Sequence, residues 1–181
     1  MKLPRKVIFG CALFLVCASA LLYWKHSVWP YGMRSCCLPC MLASMEGYAY
    51  EHQGWYPKGG KTPLESLTIL HDKPNYVGDG SSFAGISGDE NEAERRIKLG
   101  LPIDETVSSW VYFPGFRNDD DSKIAIIWER QGGIIFNGHS CDGHAVGFAG
   151  GDWEQIPQAQ WSDFLKNQEV LRQTALAKRE K

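Results

Sequence analysis

The stretch Gly143-His-Ala-Val-Gly-Phe-Ala-Gly-Gly-Asp-Trp-Glu-Gln-Ile-Pro157 reads as two short strands folded over a Gly150-Gly151 turn and stopped by a proline. Both central residues of a two-residue I′ turn need φ > 0, which glycine adopts without a Cβ penalty. A hairpin at this point favours antiparallel pairing of its neighbours, since parallel strands need a crossover of about a dozen residues or more. Two further strands are legible upstream. Ser108-Ser-Trp-Val-Tyr-Phe113 is rich in β-branched and aromatic residues and stops at Pro114-Gly115, and Lys123-Ile-Ala-Ile-Ile-Trp128 follows after the loop Arg117–Ser122. Gly132–Gly138 reads as a loop with a brief extended piece.

Helical signals flank these strands. Leu38, Met41, Leu42, Met45, Tyr48, Ala49 and His52 recur at the 3.6-residue period, a stripe suited to lying on a sheet, and Gly54 ends it before Trp55-Tyr-Pro57. Thr62-Pro-Leu-Glu65 has the N-cap, N1 proline and N3 glutamate of a capping box. Glu90–Leu99 suggests a short surface helix inside a glycine-rich middle, 71–102, that is otherwise hard to read. From Gln158 to about Lys178 a closing helix puts Trp161, Phe164, Leu165, Leu171 and Ala175 on or near one face. The expected fold class is therefore α+β, with helices packed on a small antiparallel sheet.

The N-terminus adds a different constraint. Lys2, Arg5 and Lys6 precede Val7–Trp24, eighteen residues without a charge. At 1.5 Å per residue such a helix would span roughly 27 Å, close to the ~30 Å hydrocarbon core of a bilayer. Ala18-Ser-Ala20 offers a cleavage site, but the apolar run continues through Tyr23-Trp24, so an uncleaved signal anchor is the expected outcome. The positive charges outweigh Lys25 on the far side, which places 1–6 in the cytoplasm and the domain outside it. The expected organisation is a cytoplasmic stub (1–6), a transmembrane helix (7–24), a linker (25–35) and an α+β domain (36–178). A lipidated Cys17 does not fit, because Val16 stands where a small residue is needed.

A net charge of -2 provides no basic field for nucleic acid. Outside the cytoplasm thiols usually pair, so Cys37, Cys40 and Cys141 are disulfide candidates, with Cys141 tied back to Cys37 or Cys40. The same residues raise two rivals: a zinc site from Cys37-x-x-Cys40 with Cys141 and His144, and a nucleophile pair of Cys141 with His139 or His144. Asp119-Asp-Asp121 with Asn118 has the composition of a calcium loop but reads better as a solvated turn. Trp55, Tyr56, Trp110, Trp128, Trp153 and Trp161 are expected in the core, not on a carbohydrate platform.

Cys40–Pro57, Ser108–Gly115 and Val146–Pro157 together resemble the pseudopilin-like proteins marked by an H-x9-DG signature, a group abundant in planctomycetes and related bacteria. Ser108-Ser-Trp-Val-Tyr-Phe-Pro-Gly115 is similar to the family's SSYxYxPG strand, and the hairpin sits where the family carries its signature. Gly150 and Asp152 stand in place of the signature Asp and His, and Gly10 is followed by Cys11 and Ala12 with no acidic residue in the run, so the prepilin peptidase motif is missing. The resemblance implies a membrane-anchored, type II secretion-like periplasmic domain of the inner membrane that acts through contacts with an unknown protein partner. It implies no catalytic residue, no cofactor and no small-molecule substrate. The alternative is an anchored metal- or thiol-dependent enzyme using Cys141, His139 and His144.

Overall fold

The computed structural model describes residues 14–23, 38–71, 76–133, 135–136, 139–140 and 142–179. Helix α1 covers residues 14–23, where Phe14, Leu15, Val16, Leu21, Leu22 and Tyr23 are all between 64% and 76% exposed. Among the described residues no helix is long and apolar enough to cross a membrane. The ten described residues of this helix rise about 15 Å, half of a hydrocarbon core. Residues 7–13 and 24 of the anchor expected from sequence, and the linker 25–35, lie outside the described residues.

Two units divide the chain: Met1–Met33 with Ile135–His139, and Arg34–Ile134 with Ser140–Lys181. The second begins with α2 (Leu38–Glu51), which buries Leu38, Met41, Leu42, Met45 and Ala49, the stripe read from the sequence. It ends through Gln53 and Gly54, both at positive φ, with Gly54 N–H closing on the Ala49 carbonyl at 2.8 Å. Next comes α3 (Pro63–Leu67), capped by Thr62, whose hydroxyl accepts the Glu65 N–H at 3.1 Å. The Glu65 carboxylate reaches back to Lys61 N–H, one residue before the partner that a capping box uses. A 3-10 turn (Gly80–Ala84) and α4 (Glu90–Lys98), N-capped by Asp89, occupy the glycine-rich middle.

The sheet has the order β1-β2-β5-β6, antiparallel throughout, from β1 (Trp110–Tyr112), β2 (Ala125–Glu129), β5 (His144–Phe148) and β6 (Trp153–Ile156). Between β2 and β5, β3 (Ile135–Phe136) and β4 (His139–Ser140) form a two-stranded ladder of their own. The closing helix is a 3-10 turn, Gln158–Gln160, leading into α5 (Trp161–Arg179).

Alternation along the strands gives the sheet two apolar faces. Trp110, Tyr112, Ile126 and Ile127 join the stripe of α2 in one cluster, while Val111, Ala125, Trp128, Val146, Phe148 and Ile156 pack with Trp161, Phe164 and Leu165 of α5 in another. Ile126 and Ile127 share a face because a bulge shifts the β2–β5 register between Ala125 and Ile127. Gly147 is where α2 meets β5: a Cβ there would lie 2.7 Å from a Leu42 methyl and 3.0 Å from Ile127.

The hairpin differs in detail from its sequence reading. The register pairs Gly147 with Trp153, Phe148 N–H bonds to the Asp152 carbonyl at 2.9 Å, and Gly151 N–H bonds to the Phe148 carbonyl at 3.1 Å. The loop is thus three residues, Ala149-Gly150-Gly151, and not two. Both glycines have positive φ, 91° and 86°. Such a loop with glycine at its last position is the next commonest hairpin connection after the two-residue turns.

Candidate functional site

Glu129 is the one acidic residue of β2, and it is only 2% exposed. The segment Ser82–Gly88 folds over it. Ile86 N–H donates to Glu129 Oε1, Ser109 N–H donates to the Ala84 carbonyl at 2.7 Å, and the Trp110 indole donates to the Ser82 carbonyl at 3.0 Å. Glycine makes this approach possible. Gly85 has φ of 75°, and a Cβ there would meet Ser109 Oγ at 2.2 Å and Glu129 Oε1 at 2.8 Å.

Above this seam lies a polar cleft of about 630 Å³, bordered by Ile86–Asn91, Glu105–Ser109, Arg130 and Gln131. Arg130 leans across it to the Glu105 carbonyl at 3.1 Å. Burial pushes the Glu129 carboxyl above its ordinary range, against the opposing pull of Ile86 N–H, Ser109 and the charge of Arg130. Its Oε2 has no hydrogen-bond partner among the described residues. A raised carboxyl beside a cleft is a known mark of functional sites. Here its neighbours are engaged in holding the fold: the Ser109 hydroxyl donates to the Ala84 carbonyl at 3.0 Å, and Ser108 Oγ accepts Trp110 N–H at 3.2 Å. The Ser109 hydroxyl therefore stands between two acceptors, the Ala84 carbonyl and the Glu129 carboxyl. The cluster acts as a latch that fastens the glycine-rich segment to β1 and β2.

This latch is absent from the sequence reading. Glu129 ends an apolar run and reads as the first surface residue after a strand, and Gly85 is one glycine among several. The signal available was the contiguity of Ser108-Ser109 and Glu129-Arg130 with two legible strands, and it becomes meaningful only once the register pairs Trp110 with Glu129.

The residues singled out from sequence fall elsewhere. His144 is 4% exposed at the start of β5, its ring stacked on Trp161 at 3.7 Å and its Nδ1 2.9 Å from the Glu129 carbonyl. That carbonyl can only accept, so Nδ1 carries a proton. The surroundings are those of a core histidine joining β2 to α5. His139 is the first residue of β4, and Cys37 and Cys141 lie outside the described residues, so the Cys37, Cys40 and Cys141 pairings, the zinc set and the Cys141 dyads do too. Cys40 is exposed on the first turn of α2, beside a cavity of about 300 Å³ that Met41, Ser44 and Tyr76 also border.

Gly150 and Gly151 form the turn that Tyr56 holds from below. The Tyr56 hydroxyl accepts Gly150 N–H at 3.0 Å and donates to Glu46 of α2, so one buried phenol links α2 to the hairpin tip. Burial first, then Glu46, push that phenol well above its ordinary range. In the acidic loop, Asp119 holds the Arg117 guanidinium at 2.7 Å, Asp120 accepts Arg117 N–H at 2.6 Å, and Asp121 accepts Lys123 N–H at 3.0 Å. Three carboxylates with three separate tasks describe a braced turn.

Of the aromatic residues expected inside, Tyr56, Trp110 and Trp128 are buried and Trp55 and Trp161 are half-buried. Trp153 is the exception, 45% exposed, because it lies on an edge strand opposite Gly147, which gives it no cross-strand side chain to pack on. Compared with protein-family models, curated proteins and solved structures, the chain matches none of them.

Proposed function

We propose that this chain is a membrane-anchored, extracytoplasmic α+β protein of pseudopilin-like type that acts through protein contacts, not catalysis. The observation that carries the reading is α1: its apolar side chains, from Phe14 to Tyr23, face outward, as they do in a helix whose surroundings are lipid. Lys2, Arg5 and Lys6 precede it and supply the cytoplasmic charge bias. Two things support the rest. A helix laid on a four-stranded antiparallel sheet suits the pseudopilin-like resemblance, and Ile86 N–H, Ser108 and Ser109 beside the cleft are engaged in fastening the fold.

The test is fractionation of cells making the full chain. The protein should stay in the membrane pellet through a carbonate wash, and protease added to spheroplasts should digest the domain from outside. Replacing Leu15 and Leu21 together by lysine should move it to the soluble fraction, since each charge at the centre of a spanning helix costs roughly 2.5–3.5 kcal/mol. Recovery of the unaltered chain in the cytosol would overturn the reading.

A further inference from the structure

An antiparallel sheet has two edges, and this chain treats them differently. The edge at β1 is buried: Trp110 and Tyr112, whose backbone groups point off the sheet, lie in the core, Trp110 N–H bonds to Ser108 Oγ at 3.2 Å, and the Ala84 and Ser82 carbonyls take up Ser109 N–H and the Trp110 indole at its start. The edge at β6 is open. The Phe148–Asp152 hydrogen bond sets the alternation of the β5–β6 ladder, so Val146–Glu154 and His144–Ile156 are the bonded pairs. The backbone N–H and C=O groups of Trp153 and Gln155 then point away from the sheet, and among the described residues nothing bonds to them. Natural edges are commonly blunted by lysine, proline or a bulge. Trp153-Glu-Gln-Ile156 is short and carries one charge, Glu154, but it has no lysine or proline and its register is continuous.

Beside this edge, between β6 and α5, runs a groove of about 660 Å³ with Phe148, Ile156, Phe164 and Leu171 among its apolar walls. Its rim is acidic. Glu154 lies opposite Val146, which packs under α5, so Glu154 stands on the groove side with Asp152. Both are exposed, and neither joins an ion pair among the described residues. Lys123 is the single lysine or arginine on the rim, at the β2 end.

We propose that the open edge of β6 and this groove dock an extended, basic segment of a partner protein, added to the sheet as a fifth strand. Backbone bonds to Trp153 and Gln155 would supply affinity, and because Asp152, Glu154 and the groove share one face, alternate basic side chains would lie along the groove with their stems on its apolar walls and their heads at Asp152 and Glu154, while the intervening apolar side chains would lie on the opposite face beside Trp153. A second copy of this chain fits poorly, because β6 against β6 sets two acidic rims side by side. The inference rests on the contact-protein reading and names the chemistry of the partner.

The probe is a labelled Lys-Val-Lys-Val-Lys-Val peptide, titrated by fluorescence polarisation into the full chain in non-ionic detergent. It should bind, while the same peptide N-methylated at alternate residues and a Glu-Val-Glu-Val-Glu-Val peptide should each bind about tenfold more weakly or worse. Gln155→Pro should abolish binding and cost the hairpin only the exposed bond from the Gln155 side-chain amide to the Asp142 carbonyl, because the Gln155 backbone N–H already points off the ladder. Should that variant fail to fold, Asp152→Asn with Glu154→Gln leaves the backbone untouched and should weaken binding by about tenfold at low salt. Equal affinity for the N-methylated peptide, unchanged affinity in the carboxamide variant, or no binding of the basic probe below about 1 mM overturns the site. These outcomes are separate from the anchor. A chain held in the membrane that ignores the probe loses only the docking site, and a cytosolic chain that binds it loses only the anchor.

Discussion

Glu129 ends a strand whose other four residues are apolar, and it is as buried as they are. Burial raises its carboxyl above the ordinary 4.5, so the folded state binds a proton more tightly there than the unfolded chain does. The contribution of this group to stability is full below pH 4.5 and is lost as pH rises through its folded value. Glu92 and Asp104 work in the opposite direction: Arg95 and Arg96 hold Glu92 at about 2, and the Thr106 hydroxyl and then Arg96 hold Asp104 at about 2, so their contribution is lost only as pH falls below the ordinary carboxylate range. The two windows do not overlap. Melting temperature should therefore drop as pH rises above the ordinary carboxylate range, and Glu129→Gln, which keeps an acceptor for Ile86 N–H and cannot ionise, should flatten that drop and raise the melting temperature on the alkaline side of it. An unchanged pH profile in Glu129→Gln would show that the carboxyl is not perturbed. Nothing in the local sequence announces this residue. A glutamate after Ile-Ile-Trp normally marks the return to solvent, and only the segment Ser82–Gly88, distant in sequence, shuts it in.

The elements were legible where a single face decides burial. The α2 stripe needed only its own period, and so did the two strands ending in Tyr112 and Glu129, although Ser108, Ser109, Phe113, Lys123 and Ile124 fell outside them and Glu129 was added. On α5 the period pointed to Trp161, Phe164 and Leu165, which do pack, yet its two most buried residues are Gln168 and Arg172. Gln168 accepts Ala125 N–H at 2.8 Å and donates to the Lys123 carbonyl at 2.9 Å, standing in for a strand neighbour where the bulge breaks the ladder. Arg172 lies over Phe113 at 4.0 Å. Hydrophobic patterning cannot find a polar residue that is buried because it completes hydrogen bonds or covers an aromatic ring. The contact between α2 and β5 depends on a missing side chain. Gly147→Ala should cost roughly 1–3 kcal/mol in urea unfolding, because the new methyl enters the space of Leu42 and Ile127 in a packed core. Combining it with Leu42→Ala should recover part of that loss, a coupling a double-mutant cycle would measure. Additive effects of the two would mean that the helix relieves the crowding by moving.

At the scale of the sheet-bearing unit, the arrangement is a four-stranded sheet with α2 and α3 on one face, α5 on the other, and one of its two edges covered. The cover is the glycine-rich middle, the part of the chain that the sequence left least readable. Its hydrogen bonds go to groups far away in the chain, and its glycines serve close approach and not a repeating period. Gly85 is the hinge of that cover, since it has positive φ and no room for a Cβ between Ser109 and Glu129. Gly85→Val should lift the segment off β1 and lower stability by roughly 2 kcal/mol or more. Hydrogen exchange distinguishes this from a general loss of stability. If the segment is a cover, the Ile86, Asp89 and Ser109 amides, which bond across the seam, should exchange faster than in the parent, while the β5–β6 amides of Val146 and Phe148 rise only with global unfolding. Uncovering a second edge should also make the variant self-associate as its concentration rises, because an exposed row of strand amides is a template for pairing. A variant that is merely less stable, with uniform exchange and no association, would mean that β1 needs no cover, and the contrast with the open edge of β6 would lose its meaning.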